Sequence, residues 1–152
     1  MKLVTKNNIH NKITFIIIIG ILISFSTNLL KCNDAFYAKG HLVKDLKLNI
    51  LWLRCSVGQV WHNETCEGEA LKLTMDEVKE AIKIAEVQLG GKWRLPNRKE
   101  LENLVCMTCG KIKINNKYFP NTPYEPFWTG EKNKWSKNFF WSVNFFTGHT
   151  FG

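Results

Sequence analysis

The chain has 152 residues, 45% of them hydrophobic, which is room for one domain with a real core and not for several. No internal repeat, low-complexity tract or Gly/Ser linker interrupts it, so a repeat array or a linker-like chain is excluded. Its 21 Lys and Arg against 13 Asp and Glu give a formal charge of +8, a balance that favours anionic partners over cationic ones.

Residues 1–31 differ in kind from the rest. They carry Lys2, Lys6, Lys12 and Lys31 with no acid, and an unbroken apolar run, ITFIIIIGILI, from Ile13 to Ile23. A basic start, an apolar stretch of roughly 7–15 residues and small polar residues after it describe a secretory signal. Ser24-Phe25-Ser26 predicts cleavage after Ser26; the alternative is an N-terminal membrane anchor, although the run is shorter than the ~20 residues of a spanning helix. Lys31 stands where a lipoprotein signal needs a small residue before Cys32. Either way residues 1–31 export the rest, to the periplasm, the outer surface or the extracellular space. Beyond residue 31 the charge is uneven. Residues 32–89 hold 7 basic and 9 acidic side chains, and residues 90–152 hold 10 and 4. The plain reading of that second half is a solvated, lysine-rich surface.

Next comes HLVKDLKLNILWLR, residues 41–54, which predicts two short strands around a turn near Lys47–Asn49. Leu42, Leu46, Ile50, Trp52 and Arg54 share a parity and are expected on one buried face. CSVGQVWHNETCEGEA is turn-rich and bracketed by Cys55 and Cys66. A helix is predicted from Met75 to Leu89. Thr74 and Glu77 form a capping box, Leu73 and Val78 a hydrophobic staple, and Val78, Ala81, Ile82, Ala85 and Leu89 an apolar stripe that stops at Gly90-Gly91. A shorter helix starts behind Pro96, with Asn97 and Glu100 repeating the cap and Leu101, Leu104 and Val105 facing inward. Residues 118–151 then hold seven Phe, three Trp and two Tyr, with Pro120, Pro123 and Pro126 setting loops; FWTGE and FFWSVNFFTG read as short strands. Two helices followed by aromatic strands make an α+β domain with a mostly antiparallel sheet.

In Trp93-Arg94-Leu95-Pro96, extended backbone sends Trp93 and Leu95 to the core and Arg94 the other way, while Pro96 holds Leu95 extended ahead of the helix. A guanidinium there pairs with a carboxylate such as Glu100 or Glu102, or meets an anionic ligand. The pairing is the preferred reading, and Trp93, Arg94, Leu95, Pro96 and Glu100 are expected to be structural. Arg98 and Lys99 are the better ligand candidates, against a plain solvated helix face. Trp128, Trp141, Phe145 and Phe151 are expected in the core. Trp135 is different, because EKNKWSKN surrounds it with Lys132, Lys134 and Lys137. An exposed tryptophan among ammoniums stacks on a sugar ring while they meet sulfates or carboxylates; the alternative is a Trp135 folded back on the sheet. Nucleic acid suits the same pattern, but export removes it as a partner.

In an oxidising compartment the cysteines are expected as two local bridges, Cys55–Cys66 and Cys106–Cys109, among the three connectivities four cysteines allow. Structural zinc on the same four is the alternative; C-x10-C is an odd half-site for it, and no metal is expected. His41, His62 and His149 are scattered, and no H-E-x-x-H, G-x-S-x-G or phosphate loop is present. No enzyme activity and no cofactor are expected.

LWLRCSVGQVW with TCEGEA, WRLPNRKELENLV, YFPNTP, FWTGE and WSVNFFTG occur in that order and together resemble the Lcl C-terminal domain family, named for a collagen-like bacterial adhesin. The resemblance spans residues 36–152, with a domain at 35–152. It implies a C-type lectin-like fold, adhesion, and sulfated glycosaminoglycan or another anionic glycan as ligand. The alternative is a structural or protein-interaction module whose partner is an envelope protein. Family domains run on past the W-x-V-x-F-x-x-G strand, so truncation at the last strand is expected. The strings Glu125-Pro126-Phe127 and Trp141-Ser142-Val143 lack the oxygen ligands through which calcium lectins hold sugar.

Overall fold

The computed structural model describes residues 1–6, 35–136 and 138–152. The apolar run, the cleavage point after Ser26, Cys32 and Lys137 lie outside the described residues.

The chain is α+β. Its strands are β1 (Val4–Lys6), β2 (Phe36–Lys39), β3 (Leu42–Asp45), β4 (Ile50–Leu53), β5 (Val60–His62), β6 (Thr65–Glu67), β7 (Pro126–Lys132), β8 (Phe140–Asn144) and β9 (His149–Phe151); its helices are α1 (Met75–Leu89) and α2 (Arg98–Glu102). The expectation of one aromatic-rich sheet is corrected to three sheets among the described residues, ordered β1-β4-β3-β2, β5-β6 and β7-β8-β9. Every pairing among the described residues is antiparallel; the short connections within β2-β3-β4, β5-β6 and β7-β8-β9 allow nothing else, while β1 joins β4 from far away in sequence. No helix among the described residues is long and apolar enough to cross a membrane.

The β3–β4 hairpin forms at the expected place, with Asn49 at φ 52° in the turn, a conformation asparagine tolerates. Its buried face is not the expected one throughout. Val43 pairs with Trp52 and Asp45 with Ile50, and these four point inward. Leu46 is exposed, because the chain leaves the ladder at Asp45, whose Oδ1 accepts from the Lys47 and Leu48 amides at 2.9 Å. Asp45 is therefore a buried turn anchor, a role no hydrophobic alternation reveals.

Two cores share the sheet. Val43, Ile50 and Trp52 pack with Leu101, Phe119, Phe127 and Phe145; Trp52 meets Phe119 edge-on at 6.4 Å and Phe127 meets Phe145 at 5.2 Å. On the other side α1 lays Val78 and Ala85 against Trp93 and Leu95. Thr74 and Glu77 form the full capping box, and the helix ends at Gly90 with φ 68°. Burying a valine such as Val78 contributes roughly 1.5–3 kcal/mol. Leu89, expected in the stripe, is 44% exposed: the helix holds its hydrogen bonding to Gly90, but Ala85 is its last buried residue.

Residues 1–6, read above as the start of an export segment, form part of the first sheet here. Val4 pairs with Trp52, and an isolated bridge joins Val4 to Arg94. Of the aromatic residues expected in the core, Phe145 is fully buried, whereas Trp128 is 37% and Phe151 52% exposed. The reason is alternation: Phe127, Thr129 and Val143 take the inward positions of their strands and leave Trp128 facing out.

Candidate functional site

The segment Trp93–Pro96 is held from both sides. Trp93 and Leu95 are buried, and the Trp93 indole Nε1 donates to Gly90 O at 2.8 Å. Arg94 turns outward, and its two terminal nitrogens donate to the two oxygens of Glu100, each at 2.8 Å. Glu100 Oε2 also accepts the Asn97 amide at 2.8 Å, closing the capping box of α2. Burial pushes the Glu100 carboxyl up, but the Arg94 and Asn97 hydrogen bonds outweigh it and hold it below the usual carboxylate range. The hydrogen bond to Glu100 correspondingly raises the Arg94 pKa. Arg94 is thus a clamp between an extended segment and a helix cap, with its fork already filled.

The start of α2 lies against β7. Gly130 N donates to Pro96 O at 2.9 Å, which sets β7 directly against the Leu95-Pro96 backbone. The Arg98 amide donates to Glu131 Oε2 at 3.3 Å. This contact ties the first residue of α2 to Glu131 near the end of β7, an edge from which the β7–β8 loop leaves at Asn133.

The members of that edge are not equivalent. The Arg98 guanidinium lies 4.6 Å from the Trp141 ring centroid, and its Nε is 3.5 Å from Glu102 Oε1. Arg98 is therefore half-buried against Trp141 rather than on a plain solvated helix face. Lys99 is exposed. Lys132 ends β7 with its ammonium 5.6 Å from the Phe140 ring. Lys134 is exposed, and Trp135 is 87% exposed. Asn133 Oδ1 accepts the Trp135 amide at 2.8 Å and the Ser136 amide at 3.4 Å, an Asx turn that lifts the indole off the sheet. The alternative of a folded-back Trp135 therefore does not hold.

Two features escaped the sequence reading. Phe139 is 61% exposed beside this loop; the double Phe139-Phe140 carried the signal, since neighbours at a strand end point to opposite faces. The second is an open cleft of about 1200 Å³ between residues 66–74 and 121–128, lined by Glu67, Glu69, Glu125, Lys72, Tyr124 and Trp128. The Trp128 indole Nε1 donates to Leu73 O at 3.0 Å across it, and Lys72 is tied to Glu125 at 2.8 Å, a hydrogen bond that raises the lysine pKa. Three carboxylates against one paired lysine make this cleft a poor seat for an anion, despite its size.

Cys55–Cys66 and Cys106–Cys109 are joined, each with Cα atoms 5.4 Å apart. With the sulfurs bonded, the four-cysteine zinc alternative has no thiolates to use. Disulfides are what an oxidising, non-cytoplasmic compartment supports.

The family profile described as the Lcl C-terminal domain matches residues 41–152. Neither a curated protein nor a solved structure matches the chain.

Proposed function

The chain belongs to the Lcl C-terminal domain family, and from that premise we propose that it is an exported, non-enzymatic binding domain of the bacterial cell envelope that takes sulfated or otherwise anionic glycans. The C-type lectin-like arrangement is part of the same reading. One observation carries it: Trp135, 87% exposed in the β7–β8 loop, directly follows the exposed Lys134 and lies three residues past Lys132. The indole offers its face to the apolar side of a sugar ring, and the ammoniums meet sulfates or carboxylates. Lys137 belongs to the same loop in sequence. Binding is by stacking and charge, without calcium and without a covalent step.

Elution of the folded full chain from heparin, compared with a sulfonate cation exchanger, tests this. Recognition of a sulfated chain requires elution from heparin at clearly higher salt. Equal elution from both means that only net charge acts and sinks the glycan reading. The exposed Phe139 beside Trp135 favours one rival, an envelope protein-interaction module without a glycan ligand.

A further inference from the structure

The cleft between residues 66–74 and 121–128 has volume, apolar walls and a charge opposite to that of the chain, and the proposed function uses none of them. At about 1200 Å³ it exceeds the ~300–1000 Å³ of sites that take drug-sized ligands. Leu71, Tyr124 and Trp128 line it and are 56%, 61% and 37% exposed, large apolar side chains left in water within a concave surface. The walls are held in place. Trp128 is fixed by its indole bond to Leu73 O, and Asn121 ties one wall to the other, its Nδ2 donating to Cys66 O at 2.9 Å and to Thr65 Oγ1 at 3.1 Å. Cys66 in turn is bridged to Cys55.

In a chain of formal charge +8, the ionic side chains of this cleft are Glu67, Glu69 and Glu125 against Lys72. Met1 also lines it, but burial lowers its amino group to about 5, so it adds no charge at neutral pH. Lys72 shows what the cleft favours: its ammonium is held by Glu125 at 2.8 Å, with Glu69 adding through space, and both raise its pKa. Tyr124 takes a second ammonium, that of Lys111, 5.9 Å from its ring centroid. Glu67 meets His62 Nδ1 at 3.0 Å, whereas the Glu69 carboxylate is in no hydrogen bond or close ion pair among the described residues. The acids do not converge on a point, since no three His, Cys, Asp or Glu among the described residues stand together as metal ligands. Spread carboxylates beside apolar walls match a positive charge carried on an organic body, not a bare ion.

We propose that this cleft binds a small organic amine, its apolar and preferably aromatic body against Leu71, Tyr124 and Trp128 and its ammonium at Glu69, with Glu67 and Glu125 adding to the field. The charged and aromatic groups come from residues 67–72 and 124–128, so residues 1–6 supply none of the recognition. The cleft lies at the start of β7 and the Trp135 loop follows its end, so the amine site stands or falls apart from the glycan reading.

The test uses the full oxidised chain with phenethylamine as the probe, phenethyl alcohol as its neutral counterpart and hydrocinnamate as its anionic one. The indole N–H resonance of Trp128, assigned by its loss in Trp128→Phe, and the Glu69 amide report on the cleft, while the Trp135 indole is the internal control. The amine should shift the two cleft signals saturably, at about millimolar concentration for a ligand of so few atoms, and leave Trp135 unmoved. The alcohol should bind about threefold or more weakly, and the carboxylate should not bind. Glu69→Gln should weaken the amine about 2- to 5-fold, as for one exposed ion pair, and leave the alcohol unchanged. Tyr124→Ala should weaken amine and alcohol alike, about 2- to 12-fold. Equal shifts from all three probes, amine binding unchanged in Glu69→Gln, or no saturable shift below about 50 mM overturns the proposal. So does a Trp128 signal that moves with protein concentration before amine is added, because that marks the lysine-rich loop of a second copy as the occupant. Heparin failure leaves a positive amine result standing, and amine failure leaves the glycan reading untouched.

Discussion

Replacing Glu100 by alanine is expected to destabilise the fold by about 2 kcal/mol. Its carboxylate accepts three hydrogen bonds of 2.8 Å, two from Arg94 and one from the Asn97 amide. Loss of the cap contact accounts for ~0.5–1 kcal/mol. Charge-assisted bonds are worth ~1.5–3 kcal/mol when desolvated. The Arg94 side chain is 46% exposed and rehydrates when freed, whereas Glu100 is only 12% exposed, so the pair is discounted to ~1–1.5 kcal/mol. Glu100→Gln keeps an acceptor for Asn97 and should cost about half as much. Urea unfolding of the oxidised protein, followed by tryptophan fluorescence and circular dichroism in parallel, reads both variants. Arg94→Met and the double variant complete a cycle with a coupling of about 1 kcal/mol. Because the folded carboxyl is held below its usual range, its contribution is present above the unfolded value near 4.5 and is lost as pH falls through the lower folded value. The gap between wild type and Glu100→Ala should close in that acidic window. A loss below about 0.5 kcal/mol at neutral pH, with no coupling, would show a solvated ion pair and refute the clamp.

Trp135→Ala should leave the unfolding midpoint unchanged, given 87% exposure. It should weaken heparin binding about 2- to 12-fold, the equivalent of a ~0.5–1.5 kcal/mol aromatic contact; unchanged elution in the folded variant argues against stacking. Lys2 and the Met1 amino group are bases with lowered folded pKa values, about 7 and about 5 against 10.5 and 8.0. The unfolded chain therefore binds more protons between those values, and full-chain stability should rise with pH from about 5 to about 10.5. Lys2→Met should flatten the upper part of that rise and raise the midpoint at pH 7; an unaltered pH profile would place the side chain in water. Gly58→Ala should cost about 2 kcal/mol or more in urea unfolding. Gly58 sits at φ 98°, where a Cβ would come within 2.7 Å of Glu69 O and Leu71 N, both backbone atoms that cannot swing aside. A neutral outcome means that the loop relaxes.

Both helices were legible in the sequence because their signals are local. Thr74 with Glu77 and Asn97 with Glu100 are caps that act within four residues, and both appear in full. The β3–β4 turn was legible for the same reason. Its buried face was legible in β4, where Ile50 and Trp52 point inward, but not in β3, since Val43 and Asp45 against Leu42 and Leu46 is decided by what lies beneath the sheet. Arg54 shows the limit clearly: three carbonyls from residues 40, 117 and 118 and the Trp61 ring, 4.1 Å away, hold it. No spacing announces partners more than 60 residues distant.

The candidate site divides along the same line. Residue types alone marked Lys132, Lys134 and Trp135 as an aromatic within a basic loop, and marked Arg94 as a charge in need of a partner. Which carboxylate Arg94 takes, that Arg98 is drawn onto Trp141 and Glu102, and that Trp135 faces water were decided by packing, because those outcomes depend on distances between segments the chain order leaves free. Local hydrogen bonding and side-chain periodicity are written in neighbouring residues, whereas burial is set by the whole fold. A lysine at the second residue of an export-like segment reads as solvated in the sequence, and only the closed sheet puts it beneath Phe119.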